Sequence, residues 1–140
     1  MRKVTRLSLL LASLVLVLAW ALTVKSARRV PAEDYAVRVD AAERLEACME
    51  RVKAYKAELG IPLSDEDHHE TGMLGEDYTP ITTTIGAPDA KRTTADPDMA
   101  ALCVQLLEEA GVKAGDTVGA GFSGSFPAMD LAVLCACAAM

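Results

Sequence analysis

Basic residues are scarce in this 140-residue sequence once its N-terminus is passed. Residues 1–29 hold six of them (Arg2, Lys3, Arg6, Lys25, Arg28 and Arg29) and no acid, a charge of +6. Residues 30–140 hold only eight basic residues beside all 20 acidic ones, a charge of −12. No basic stripe is left to neutralise phosphates, which excludes a nucleic-acid-binding module. Aromatics are also few, at 4%, yet 51% of the residues are hydrophobic, so aliphatic stretches can bury a core and disorder throughout is excluded. At this length the chain holds at most one domain. Histidine is limited to the adjacent His68 and His69. They lie in an acidic run with Asp65, Glu66, Asp67 and Glu70, without a third spaced histidine or an H-E-x-x-H pattern. That run reads as a solvated loop, and the sequence calls for no metal and no cofactor. The four cysteines (Cys48, Cys103, Cys135, Cys137) show neither C-x-x-C nor zinc spacing. Each falls on an apolar helical face, where a thiol behaves as a small hydrophobe. Cys135 and Cys137 point about 200° apart on a helix and cannot pair with each other. If the domain lies outside the cell, a disulfide such as Cys48–Cys103 stays open.

What is present begins with an uncharged run of 18 residues, 7–24, which as a helix is ~27 Å long against a bilayer core of about 30 Å. Arg2, Lys3 and Arg6 form the basic region of a signal peptide, and Ala19-Trp20-Ala21 offers a weak cleavage site. The apolar run continues past that site to Val24, with Trp20 placed as an interfacial anchor. An uncleaved signal anchor is therefore preferred to a cleaved peptide. Three basic residues flank each side of the run, so charge leaves the orientation nearly tied. The short tail favours the cytoplasm, which sends residues 30–140 outside. Two regions follow: a membrane segment over 1–29 and an acidic domain over 30–140.

In the acidic part a helical pattern runs over 34–59, with Ala41, Leu45, Cys48, Met49, Val52, Tyr55 and Leu59 on one face. Gly60 and Pro62 end it. Residues 61–95 show no sustained period, and a connection of that length reads as a functional, ordered loop, with one edge strand at most over 78–85 because of Pro80. Asp96-Pro97-Asp98 starts a second helix that Gly111 stops. Residues 117–121 read as a short buried strand and Pro127 opens a last helix through Ala139. Helix, strand, Gly/Ser loop and helix is α/β grammar, and it predicts a partial, Rossmann-like layered domain. The last helix is apolar on nearly every face and has no evident partner, so the sequence is expected to be the N-terminal part of a longer domain or to need an oligomer.

The loop Gly119-Ala120-Gly121-Phe122-Ser123-Gly124-Ser125-Phe126-Pro127 contains a formal GxGxxG and nearly spells the G-x-S-x-G nucleophile elbow around Ser123, with Ser125 in place of its last glycine. Four readings stay open: a plain tight turn, an anion cradle, a serine nucleophile and a dinucleotide site. The hydroxyls and amides of Ser123, Gly124 and Ser125 at a helix start suit a carboxylate. Thr82, Thr83 and Thr84, with Lys91 and Arg92, add hydroxyls and cations to an otherwise acidic domain, against the alternative of a solvated loop.

Several strings in order resemble the poly-gamma-glutamate system protein family. They are Leu59-Gly60-Ile61-Pro62, Thr71-Gly72-Met73-Leu74-Gly75-Glu76, Thr79-Pro80-Ile81-Thr82-Thr83-Thr84-Ile85-Gly86, Ala90-Lys91-Arg92-Thr93-Thr94, Asp96-Pro97-Asp98, Gly111-Val112-Lys113-Ala114-Gly115-Asp116 and Ser123-Gly124-Ser125-Phe126-Pro127. The likeness covers roughly residues 45–140, and it departs at Asp130, where Asn is expected. Family members are considerably longer. The resemblance implies a membrane-anchored accessory protein for making, retaining or exporting extracellular poly-γ-glutamate, with the polymer and the synthesis and export membrane proteins as partners. It brings no catalytic residue to this chain. Two alternatives stay beside it: an enzyme acting on the polymer through Ser123 or Ser125, and a purely structural anchor.

Overall fold

The computed structural model describes residues 6–27, 30–76, 78–80, 82–83 and 86–140, and divides into two compact units, Met1–Ala32 and Glu33–Met140. The first unit contains α1 (Arg6–Ser26). None of its residues is buried within the chain, and it is long and apolar enough to cross a membrane. A signal sequence near the N-terminus has the same property.

The second unit is built from α2 (Tyr35–Glu58), α3 (Pro88–Thr94), α4 (Asp98–Glu109) and α5 (Pro127–Ala139). Ala41, Leu45 and Met49 repeat every four residues along α2 and are buried. Ala100, Cys103 and Val104 form the buried stripe of α4 at three- and four-residue spacing, and Ala128, Ala132, Cys135 and Ala136 that of α5. These stripes meet pairwise, α2 on α4, α2 on α5 and α4 on α5, with Leu45 and Val104 fully buried between them. The small residues of the α5 stripe let its backbone come close to both neighbours.

The helix ends follow local rules. After α2, Ile61 N–H donates to Lys56 O (2.9 Å) and Gly60 N–H to Ala57 O (3.1 Å), with Gly60 at φ +67°. After α4, Val112 N–H donates to Leu107 O (3.0 Å) and Gly111 N–H to Glu108 O (2.9 Å), with Gly111 at φ +86°. Both are Schellman closures, and each needs a residue free to adopt positive φ. Asp96 Oδ1 accepts Asp98 N–H at 2.9 Å and so caps the first turn of α4.

The α/β expectation is overturned. Among the described residues there is no strand, and no Rossmann-like sheet. The expected buried strand over 117–121 is exposed irregular chain. It consists of Gly119, Ala120 and Gly121 after Thr117 and Val118, with little side chain to bury and no second strand to pair with. In the expected edge strand, Ile81, Thr84 and Ile85 lie outside the described residues. The described part is a turn about Pro80: Thr82 N–H donates to Thr79 O (3.0 Å), and Thr79 N–H donates to Thr82 Oγ1 (2.9 Å). Proline and threonine each favour this local bonding over a ladder. The last helix also has partners within the chain, contrary to the sequence reading. It buries one stripe against α2 and α4 and leaves Leu134 exposed.

Candidate functional site

The short α3 is where the site begins. Pro88 occupies its first turn with Asp89, and Lys91 and Arg92 its last, so both ends complement the helix dipole. Consecutive helical residues point about 100° apart, so Lys91 and Arg92 serve two different hollows.

Lys91 lines a cleft of about 880 Å³. Its stem runs close to Gly86, where an added Cβ would come 3.4 Å from Lys91 Cε and 4.0 Å from Phe126 Cζ. Thr82, Thr83, Ser123, Gly124 and Ser125 line the same cleft, so five of the expected ligand residues join Lys91 there from segments 40 residues apart. Thr84 lies outside the described residues. Ser125 N–H donates to Ser123 Oγ at 3.4 Å and Phe126 N–H to Ser123 O at 3.2 Å, forming the turn that leads into α5. The N-terminal end of α5, with its positive dipole, thereby sits at the rim of the cleft, although Asp130 occupies its first turn.

Four further polar residues of the cleft were not among the expected ligand residues. Lys56 stands one turn after Val52 on α2, and its Nζ donates to Leu74 O at 3.4 Å. Thr79, Glu76 and Asp130 also line the wall. Lys56 carried a legible signal, as the basic residue in the last turn of α2. Lys91 makes no side-chain hydrogen bond or ion pair to any described residue.

Arg92 is not a cleft residue, contrary to the sequence expectation. It lines a separate groove of about 690 Å³ and forms ion pairs with Asp89 and Glu66. The Asp89 carboxylate, then that of Glu66, push the Arg92 guanidinium further above its ordinary range. Its charge is thus matched inside the fold. His68 and His69 line this second groove, with Glu46, Glu50 and Glu70. No group of three metal-ligating side chains forms there or elsewhere among the described residues.

One turn walls both hollows. Asp67, 5% exposed, accepts Thr71 N–H (3.0 Å) and Thr71 Oγ1–H (2.9 Å) on Oδ1, and Gly72 N–H (2.7 Å) on Oδ2. Its carboxylate organises the loop. Gly72, at φ +76°, lies so near α2 that a Cβ would stand 3.2 Å from the Lys53 backbone. Thr71 faces the histidine groove, while Gly72 and Met73 face the lysine cleft.

The serine-nucleophile reading requires a base beside Ser123. Both histidines line the other groove, whereas the carboxylates of Glu76 and Asp130 line the cleft that holds Ser123. No protein family, curated protein or solved structure matches the chain. The likeness to the poly-gamma-glutamate system family therefore rests on its residue strings alone.

Proposed function

We propose that the chain is a membrane-anchored binding protein for a polymeric carboxylate, acting in the making, retention or export of extracellular poly-γ-glutamate. The supporting observation is the lysine cleft, where Lys91, without a side-chain partner among the described residues, lines the wall with Lys56, Thr79, Thr82, Thr83, Ser123 and Ser125. An ammonium with hydroxyl donors suits a carboxylate, and such charge-assisted bonds are about twice as strong as neutral ones. A γ-linked glutamate unit carries one carboxylate and one amide N–H. Glu76 and Asp130 supply acceptors for the second beside donors for the first. In this reading α1 remains uncleaved as the anchor, the acidic unit stands outside the membrane, and the synthesis and export membrane proteins are its partners.

A single glutamate meets one such set of donors, whereas a polymer brings neighbouring carboxylates at high effective concentration. Titration of the full chain in detergent micelles with poly-γ-glutamate, L-glutamate and a neutral polymer tests the reading. Binding of poly-γ-glutamate that weakens with salt, falls with Ser123→Ala/Ser125→Ala, and exceeds that of L-glutamate at least tenfold is expected. Equal binding of the neutral polymer, or no binding at all, overturns it and favours a purely structural anchor.

A further inference from the structure

The four cysteines are free, and the helical core sorts them differently from the Cys48–Cys103 pairing open from the sequence. Cys48 on α2 and Cys135 on α5 have their Sγ atoms 3.9 Å apart, across the interface of two packed helices. Cys103 on α4 is instead influenced by Cys137: burial first, then the Cys137 thiol, push it up. A disulfide between Cys48 and Cys135 needs roughly 2 Å of approach between sulfurs already in contact, to a bond of about 2.05 Å. The geometry points to an oxidative cross-linking site, in which Cys48 and Cys135 form a disulfide that bolts α2 to α5 when the chain meets a small disulfide oxidant.

The two thiols have unequal roles. Cys48 is half-buried, while Cys135 is 6% exposed, so an external oxidant reaches Cys48 first. The Cys48 thiol loses its proton to solvent and attacks one sulfur of the oxidant R–S–S–R. The S–S bond breaks, one thiol RSH leaves, and Cys48 holds a mixed disulfide. Cys135 then loses its proton to solvent and attacks Cys48 Sγ, releasing the second RSH. Two electrons pass from the protein thiols to the oxidant. Burial, then the neighbouring Cys48, push the Cys135 thiol up to about 11, with Arg44 opposing. Its thiolate is therefore scarce near neutrality, so the first attack falls to the more exposed Cys48 and Cys135 follows in the intramolecular step.

The cross-link joins residues 87 positions apart, so it removes a large share of the unfolded chain's freedom. The thermal midpoint is expected to rise by about 10 °C or more. Trypsin separates the sites: residues 45–51 carry Cys48, 93–113 carry Cys103, and 114–140 carry Cys135 with Cys137. The full chain in detergent micelles is treated with oxidised glutathione, alkylated, digested and mapped by mass spectrometry. Expected is peptide 45–51 joined to 114–140 through Cys135. The same link is expected in Cys137→Ser, together with a raised midpoint that dithiothreitol reverses. Four alkylated thiols, a glutathione left on Cys48, or Cys48 joined to Cys103 or Cys137 would overturn the assignment.

Discussion

Two hollows flank the seven-residue α3, and each receives one of its two adjacent cations. In the histidine groove, Arg92 is matched by Asp89 and Glu66 and its guanidinium is a structural brace. In the lysine cleft, Lys91 has no partner among the described residues and faces hydroxyls. Two charges of the same sign on consecutive residues thus differ in availability. A ligand anion has to compete with two bound carboxylates for the first, whereas the second is held by no side chain among the described residues. Counting basic residues in a sequence cannot separate these cases, because the 100° step between them has meaning only once α3 exists.

Both hollows are most vulnerable at the wall they share. Asp67→Ala leaves the Thr71 and Gly72 amides and the Thr71 hydroxyl without their acceptor. It is expected to cost about 3 kcal/mol in urea denaturation, because one buried and two part-buried donors lose their partner together. Polymer binding should fall in the same variant, since the turn lines both hollows. Gly72→Ala is the next largest, at about 1–2 kcal/mol, from a strained positive φ and a Cβ pressed on the Lys53 backbone. Arg92→Ala is smaller still, with a urea midpoint close to that of the unaltered chain, because its Asp89 partner is open to solvent and exposed ion pairs contribute little.

The core beneath both hollows answers to pH through Cys135. Its folded thiol is held at about 11, above the ordinary 9.0. The folded state therefore keeps a proton that the unfolded chain gives up, and that stabilisation is complete below about pH 9. It is lost as pH rises through about 11. The denaturation midpoint of the reduced protein should fall more steeply over that window than the midpoint of Cys135→Ala does.

Much of the core was legible in the sequence, and the reasons are local. Ala41, Leu45 and Met49 repeat at helical spacing, Gly60 and Gly111 mark where α2 and α4 end, and Pro127 opens α5. The class was not legible. Thr117-Val118-Gly119-Ala120-Gly121 is a short apolar run, and such a run has no period that separates a strand from exposed chain. Helix α3 is too short to show a period, though its Pro88-Asp89 opening and Lys91-Arg92 close are terminus signals. Of the expected ligand residues, Thr82, Thr83, Lys91, Ser123, Gly124 and Ser125 meet in one cleft, a meeting of distant segments that no local pattern encodes. Lys56 was missed because on α2 it reads as one more solvated charge.

A calorimetric titration of poly-γ-glutamate into the full chain, compared with Lys91→Ala and Arg92→Ala under identical salt, separates the two cations. Lys91→Ala is expected to weaken binding by about tenfold, the loss of roughly one charge-assisted bond, while Arg92→Ala stays within about twofold of the unaltered chain. Equal losses in the two variants, or a larger loss in Arg92→Ala, would contradict the distinction between a free and a matched cation.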